Sequence, residues 1–397
     1  MYSQQLSKHL QTLLANGPRL IGSPSNQAAA NYIRDAFRST GMQVVEQSYP
    51  CTAWEHTRTH FTVNGVSQTA EANAFSLPCN VTGMVLPVSS ITELETRDLT
   101  GKIILFYGDL ARQPIAPLAW FLCTDRDRQI IERLTAARPA ALLTPPAQTL
   151  EYEQVTEDWA LDVSAATIPQ ETVMELLLNP SAQVSLQIEA RRYPEKARNI
   201  IASKKITGHS QKVVLCAHFD TKAATPGAFD NASSVAVLLW LSETLSQRDL
   251  PFDLEFTAFN GEEALPIGDD EYIRLLGHEL DHILVAINLD GVGPLAGTTS
   301  IAVFSASAEF ETQIQRLMLP YPGVVQVEPW PESNHSTFSF RGVPSLALGS
   351  VGTRNLAHTP LDRLEIVSSQ RMQEAADLVT DIIASLKVGS YRPNNGE

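Results

Sequence analysis

Basic residues are scarce in this chain: 29 lysines and arginines stand against 44 aspartates and glutamates, a formal charge of −15 over 397 residues. Nucleic-acid binders present a basic face to phosphates, so an acidic balance argues against that class of partner. Cysteine is equally sparse. Cys51, Cys79, Cys123 and Cys216 form no CxxC pair and no framework spacing. That pattern suggests neither a zinc ribbon nor a disulfide scaffold, and it suits unpaired thiols in a reducing cytosol. Long apolar runs are missing too. The run over residues 235–241 falls far short of the roughly 20 residues that cross a bilayer. The opening stretch MYSQQLSKHLQTLLANGPRLIG lacks the basic start and apolar core of a secretory leader. The expectation is a cytoplasmic protein with no membrane partner, in which the sequon at Asn80 carries no meaning. A chain that had lost its leader would read the same way.

What is present is an ordinary globular composition, 44% apolar and 18% charged, long enough for one large domain and a smaller one. Residues 3–15 carry Leu6, Leu10, Leu13 and Leu14 at helical spacing. The turn from Gly22 to Asn26 offers Ser25 or Asn26 as the cap of a second helix, which shows Ala29, Ile33 and Phe37 on one face and stops before Gly41. A strand over 43–49 follows. From 51 to 195 the texture changes to short β-rich runs at 61–63, 81–86, 102–107, 141–143 and 184–188, with one helix over 127–137. This segment reads as an inserted small domain. Beyond residue 199, strands at 212–217, 253–260, 283–289, 300–305 and 345–348 alternate with helices at 233–245, 271–281, 309–317 and 369–386. Strands alternating with covering helices predict an α/β fold, a three-layer α/β/α sandwich with a mixed central sheet, assembled from 1–50 and 196–397.

In an open α/β sheet, ligands bind beyond the carboxyl ends of the strands. The apolar strands here repeatedly deliver acids and histidines to those ends. His218 and Asp220 close VVLCAHFD, Asp230 lies in GAFDN, Glu262 and Glu263 follow LEFTAFNG, Asp290 follows ILVAINL, and His358 lies in LAHTPLD. Taken singly, an aspartate in a βα turn is a helix cap more often than a ligand, by roughly 3:1. A lone histidine is more often a satisfied core or surface residue. Their joint arrival at strand ends points to a site. The charges fit two divalent cations: Asp230, Glu263, Asp290 and one hydroxide balance two Zn²⁺, and His218 and His358 each add a neutral nitrogen. Mixed nitrogen and oxygen donors favour zinc, with Co²⁺ or Mn²⁺ as substitutes.

HFDTK, PGAFDNASSVAVLL, FNGEE, NLDGVG and LAHTPLD, in that order, resemble the metal-site motifs of the two-zinc aminopeptidase family, whose relatives include glutamate carboxypeptidases and glutaminyl cyclases. The resemblance covers residues 6–49 and 199–386. It implies the zinc-peptidase type of sandwich and a peptide substrate. It also implies that His218 and Asp290 hold one zinc, Glu263 and His358 the other, and Asp230 bridges both. Glu262 is then the general base, and Asp220 orients His218. DLTGKIILFYGD, PAALLTPP and ARNIIAS are similar to a protease-associated domain, which implies a cap or recruiting role for the insert and no metal ligand from it.

The chain departs from the family pattern at residues 264–269, at Ala357, and at Ser333-Asn334-His335. His335 is either a hydrogen-bond donor to the tetrahedral intermediate or a structural histidine. The segment His278-Glu279-Leu280-Asp281-His282 matches HExxH, yet it lacks an evident third ligand and should cover the outside of the sheet, so a solvated helix end is the better reading. Lys222 is open to two readings, a partner for a substrate carboxylate or a solvent-facing lysine. The expected activity is that of an aminopeptidase, with a carboxypeptidase or a glutaminyl cyclase on the same site as alternatives. A non-catalytic binding protein would have lost ligands or the base. Side-chain specificity and oligomeric state are not legible.

Overall fold

The computed structural model describes residues 2–147, 153–206 and 211–393. The chain divides into two compact units: Met1–Pro50 with Lys196–Glu397, and Cys51–Glu195.

The larger unit is built on a mixed sheet. Its strands run in the order Val324–Gln326, Thr298–Phe304, Ser345–Val351, Ile283–Leu289, Lys212–His218 and Asp253–Phe259, flanked by the last residues of Gln183–Lys204. The three strands around the centre, Ile283–Leu289, Lys212–His218 and Asp253–Phe259, are mutually parallel, whereas Thr298–Phe304 runs antiparallel to Ser345–Val351 and Gln183–Lys204 antiparallel to Asp253–Phe259. Parallel strands are covered on both faces, and their sequences read accordingly as unbroken apolar runs. Period-two alternation then sorts the side chains. Val213, Leu215, Ala217, Leu254 and Phe256 pack against helices Tyr2–Leu14, Pro24–Ser39, Ser233–Leu245 and Ser369–Ser385. Val214, Cys216 and Phe259 meet Tyr272, Leu276 and Phe338 on the opposite face. Each buried Leu, Val or Phe contributes roughly 1.5–3 kcal/mol, so the two clusters fix the sheet between its helical layers.

Two expectations need correction. Ser23, not Ser25 or Asn26, caps the second helix: its hydroxyl accepts from Asn26 N, and Pro24 occupies the first helical turn, where its missing N–H is harmless. The helix expected at 271–281 runs instead over Ile267–Leu276. Gly277, with φ 52°, ends it, and Gly277–His282 is a short 3₁₀ turn.

The smaller unit has its own sheet, in the order Gln183–Lys204 (its first residues), Cys79–Val88, Ile103–Phe106, Ala141–Thr144, Ala165–Thr167 and Glu71–Ala72. The inner four strands are parallel. Helices Ile91–Thr96, Asp125–Ala137 and Gln170–Leu178 accompany it, so it is more mixed than β-rich runs alone suggested. Thr124 and Asp127 form a reciprocal capping box on the longest of these helices. Among the described residues, no helix is long and apolar enough to cross a membrane.

Candidate metal centre

Three neighbouring parallel strands end at the same edge, and each is followed by candidate ligands. His218 is the last residue of Lys212–His218, pairs in register with Phe259, and is 1% exposed. Glu262 and Glu263 follow the strand Asp253–Phe259, and Asp290 directly follows Ile283–Leu289. Asp230 lies in the turn Ala228–Ala232 that leads into helix Ser233–Leu245. His358 follows the strand Ser345–Val351 and has φ 59°, a conformation uncommon for a non-glycine residue.

These side chains converge. His218 Nε2 lies 3.3 Å from Asp230 Oδ1, 3.5 Å from Asp290 Oδ1 and 3.9 Å from Glu262 Oε2. His358 Nε2 lies 3.2 Å from Asp230 Oδ2 and 3.0 Å from Glu263 Oε2. Two ligand sets result, His218–Asp230–Asp290 and Asp230–Glu263–His358, the ligand atoms of each within 4.8 Å of one another. Asp230 belongs to both, one carboxylate oxygen turned to each histidine.

The loops bearing these residues are tied to one another by hydrogen bonds. Asp220 accepts the backbone N–H of Glu262 (3.2 Å) and of Glu263 (3.0 Å), and its Oδ1 is 3.6 Å from His218 Nδ1. Asn231 bridges the Asp230 and Asp290 loops: its Nδ2 donates to the Leu289 carbonyl (3.0 Å), and its Oδ1 accepts from Gly291 N (3.1 Å). Asp362 accepts from Phe229 N (2.5 Å) and Asp230 N (3.0 Å). Arg19 is fully buried and donates to the carbonyls of Phe219, Pro226 and Gly227. Asn26 and Asn260 exchange reciprocal amide hydrogen bonds of 2.9 and 3.0 Å, which steadies the approach to Glu262.

Gly227 makes this crowding possible. Its φ is 67°, and a Cβ there would stand 2.2 Å from Thr221 Cγ2 and 2.7 Å from the Asp230 carbonyl. Gly227→Ala is expected to cost about 3 kcal/mol, from a left-handed backbone and overpacking together. Urea unfolding measures this, and an unshifted midpoint would contradict it.

The electrostatics explain what such a cluster needs. Burial pushes the Glu262 carboxyl well above its ordinary range, and Glu263, Asp290 and Asp220 push it further against the opposing pull of His218. Burial also raises Glu263, with Asp230 adding to the effect and His358 opposing it. For His218, burial disfavours the charged ring, but Glu262, Asp220, Asp230 and Asp290 outweigh it and hold it well above the usual histidine value. Asp230 goes the other way: burial would raise it, and His218 and His358 pull it below the normal carboxylate range. The acids crowd together so closely that they repel one another, and Glu263 Oε1 is buried with no hydrogen-bond partner among the described residues. Converging carboxylate and imidazole donors of this kind fit divalent cations, zinc foremost.

Other residues singled out in the sequence lie differently. His335 is fully buried; its Nε2 is 2.8 Å from the Trp330 carbonyl, and its ring packs 4.3 Å from that of Phe304. Among the described residues, no hydrogen bond or ion pair joins it to the two ligand sets. Burial lowers its pKa against the opposing pull of the Trp330 carbonyl. Lys222 is half-buried, and its Nζ donates to the Glu263 carbonyl (2.9 Å). The HExxH match falls on the 3₁₀ turn Gly277–His282, none of it buried, where the two histidines lack the α-helical i, i+4 alignment of a zinc site. Arg19, Asn231 and Asp362 escaped the sequence reading. Asp269 did too: it is buried, accepts from Asn334 Nδ2 and from Thr337, and burial pushes it up to about 6.

The two candidate ligand sets that share Asp230 stand at the strand ends of an α/β sheet of the zinc aminopeptidase fold. The zinc aminopeptidase of Bacillus subtilis shares it, with a TM-score of 0.77 at 22% identity, over 96% of this chain and 94% of that one. Residues 199–383 match the model of Peptidase family M28. Aminopeptidase YwaD of Bacillus subtilis is 29% identical over 199 residues, 47% of this chain and 44% of that protein. Porphyromonas gingivalis glutaminyl cyclase shares the fold more distantly, with a TM-score of 0.53 at 15% identity over 96% of this chain and 97% of that one. The chain spans about half the length of the curated relatives it matches.

Proposed function

We propose that this chain is a two-zinc exopeptidase of the aminopeptidase type. The observation that carries the reading is Asp230, which stands between His218 and His358 with Asp290 and Glu263 completing the two ligand sets. His218 and Asp290 would hold one ion, Glu263 and His358 the other. When bound, such ions lower the pKa of a water to roughly 7 and polarise a carbonyl. Glu262 is in neither set, reaches the cluster from 3.9 Å, and carries a carboxylate of raised proton affinity. It takes the proton of the attacking water and returns it to the leaving amine. Asp220 positions both glutamates through their backbone N–H groups, and its Oδ1 faces His218 Nδ1 at 3.6 Å, from where it would orient the ring. His335 stays a structural histidine in this reading, engaged by Trp330.

The proposal includes a division of labour in which residues 51–195 form a protease-associated-like insert that supplies no ligand. It also includes a reducing cytosolic location, which the lack of a disulfide among the four cysteines supports.

A panel of aminoacyl-p-nitroanilides, run with and without a chelator beside N- and C-terminally blocked peptides, tests the activity. Release from free N-termini, lost on chelation and restored by zinc, is the expected result. Cleavage that requires a free C-terminus would replace the reading with a carboxypeptidase. Cyclisation of N-terminal glutamine without hydrolysis would replace it with a cyclase.

A further inference from the structure

We infer that Arg19 and Asp362 are positioning residues that hold the shared ligand Asp230 in place by gripping its loop from both polarities. The inference rests on the two-metal reading above. The loop from Pro226 to Asp230 must turn its carbonyls one way and its N–H groups another before entering the helix Ser233–Leu245. Arg19, which can only donate, takes the carbonyls of Pro226 (3.1 Å) and Gly227 (2.7 Å). Asp362 accepts the N–H groups of Phe229 (2.5 Å) and Asp230 (3.0 Å), one on each carboxyl oxygen. Donor meets acceptors and acceptor meets donors along one short loop.

Each grip also reaches a second ligand segment. Arg19 Nε donates to the Phe219 carbonyl (2.8 Å), and its backbone N–H donates to Thr221 Oγ1 (2.8 Å), so it is anchored on both sides of Asp220 and next to His218. Asp362 lies four residues past His358, and its own carbonyl accepts from Ala228 N (3.3 Å). Asp230 is therefore spaced against His218 through Arg19 and against His358 through Asp362. Neither residue approaches a ligand side chain closely enough to pair with it among the described contacts. Both are buried, where an unsatisfied donor or acceptor is costly, so the loop has little freedom to relax around a loss.

Charge and geometry predict opposite outcomes for Arg19, and this makes the inference testable. Removing a buried cation beside a carboxylate cluster should, on charge alone, tighten zinc binding. If Arg19 acts by spacing the loops, its removal weakens zinc binding instead. The experiment is zinc titration against a competing chelator on the full chain, with circular dichroism to confirm folding, for wild type, Arg19→Lys and Arg19→Met. The expected result is a loss of at least tenfold in affinity for both ions in Arg19→Lys, which keeps the charge but cannot span three carbonyls, and a larger loss in Arg19→Met. Wild-type or tighter binding in both variants would overturn the inference. Should Arg19→Met fail to fold, Arg19→Lys alone decides. Hydrogen exchange supplies the second arm: in metal-free Asp362→Asn, the amides of residues 229 and 230 are expected to exchange at least tenfold faster, and unchanged rates would likewise overturn it. Failure of the wild-type protein to bind two zinc ions would instead overturn the two-metal reading itself.

Discussion

Glu262→Gln is expected to bind metal as the wild type does and to lose about a thousandfold in kcat, within the 10²–10⁴ range of a positioned acid–base group. The two adjacent glutamates hold different positions. Glu263 reaches His358 at 3.0 Å and belongs to a ligand set, whereas Glu262 stands 3.9 Å from His218 and belongs to neither. The amide of glutamine fills the same space, and the backbone N–H at 262 keeps its bond to Asp220. Geometry and metal content therefore survive while the proton acceptor is lost. Steady-state kinetics together with elemental analysis of the same preparation separate the two effects. Near-normal turnover with two zinc ions bound would remove Glu262 from the role of base.

Asp230→Ala should have the largest effect on metal content. Asp230 Oδ1 faces His218 and Oδ2 faces His358, so one truncation removes a donor from both sets. Each ion would be left with two protein ligands, and both affinities are expected to fall by more than about a hundredfold, in line with the strong coupling of zinc affinity to ligand number and charge. Glu263→Ala and Asp290→Ala each weaken one set, and a stoichiometry near one is expected for them at moderate free zinc. The pattern of zero, one and one, read by equilibrium dialysis, is specific to a shared carboxylate. Asp230→Ala that retained one tightly held ion would show that the sets do not share it.

Much of this site was legible in the sequence because buried parallel strands announce themselves. An unbroken apolar run such as residues 213–217 has one place to go, and the residue that breaks it, His218, lies at the functional edge of the sheet. The same logic located Glu262, Glu263 and Asp290. His358 was less exposed by periodicity and was found through its motif. Arg19, Asn231 and Asp362 were illegible for a common reason. Their partners are backbone atoms, which leave no imprint in the sequence, and Arg19 finds them 208 residues away. A signal did exist for Asp362, which closes the LAHTPLD motif, but an aspartate after a turn reads as a cap. The misplaced helix at 271–281 had a plain warning in Gly277, and the capping error at Ser23 had one in Pro24. His335 could not be resolved from sequence, because its engagement with Trp330 and Phe304 depends on how a loop folds back.

The interrupted layout of the larger unit has a consequence for how the protein is made. Arg19 leaves the ribosome 208 residues before Gly227, an interval of roughly 10–40 s at 5–20 residues per second. Throughout that time the apolar faces of the first two helices lack the helix Ser233–Leu245 that will cover them. The nascent chain must keep Leu6, Leu10, Ile33 and Phe37 from sticking elsewhere while the insert emerges, which makes this stretch of synthesis the point at which a chaperone has most to protect.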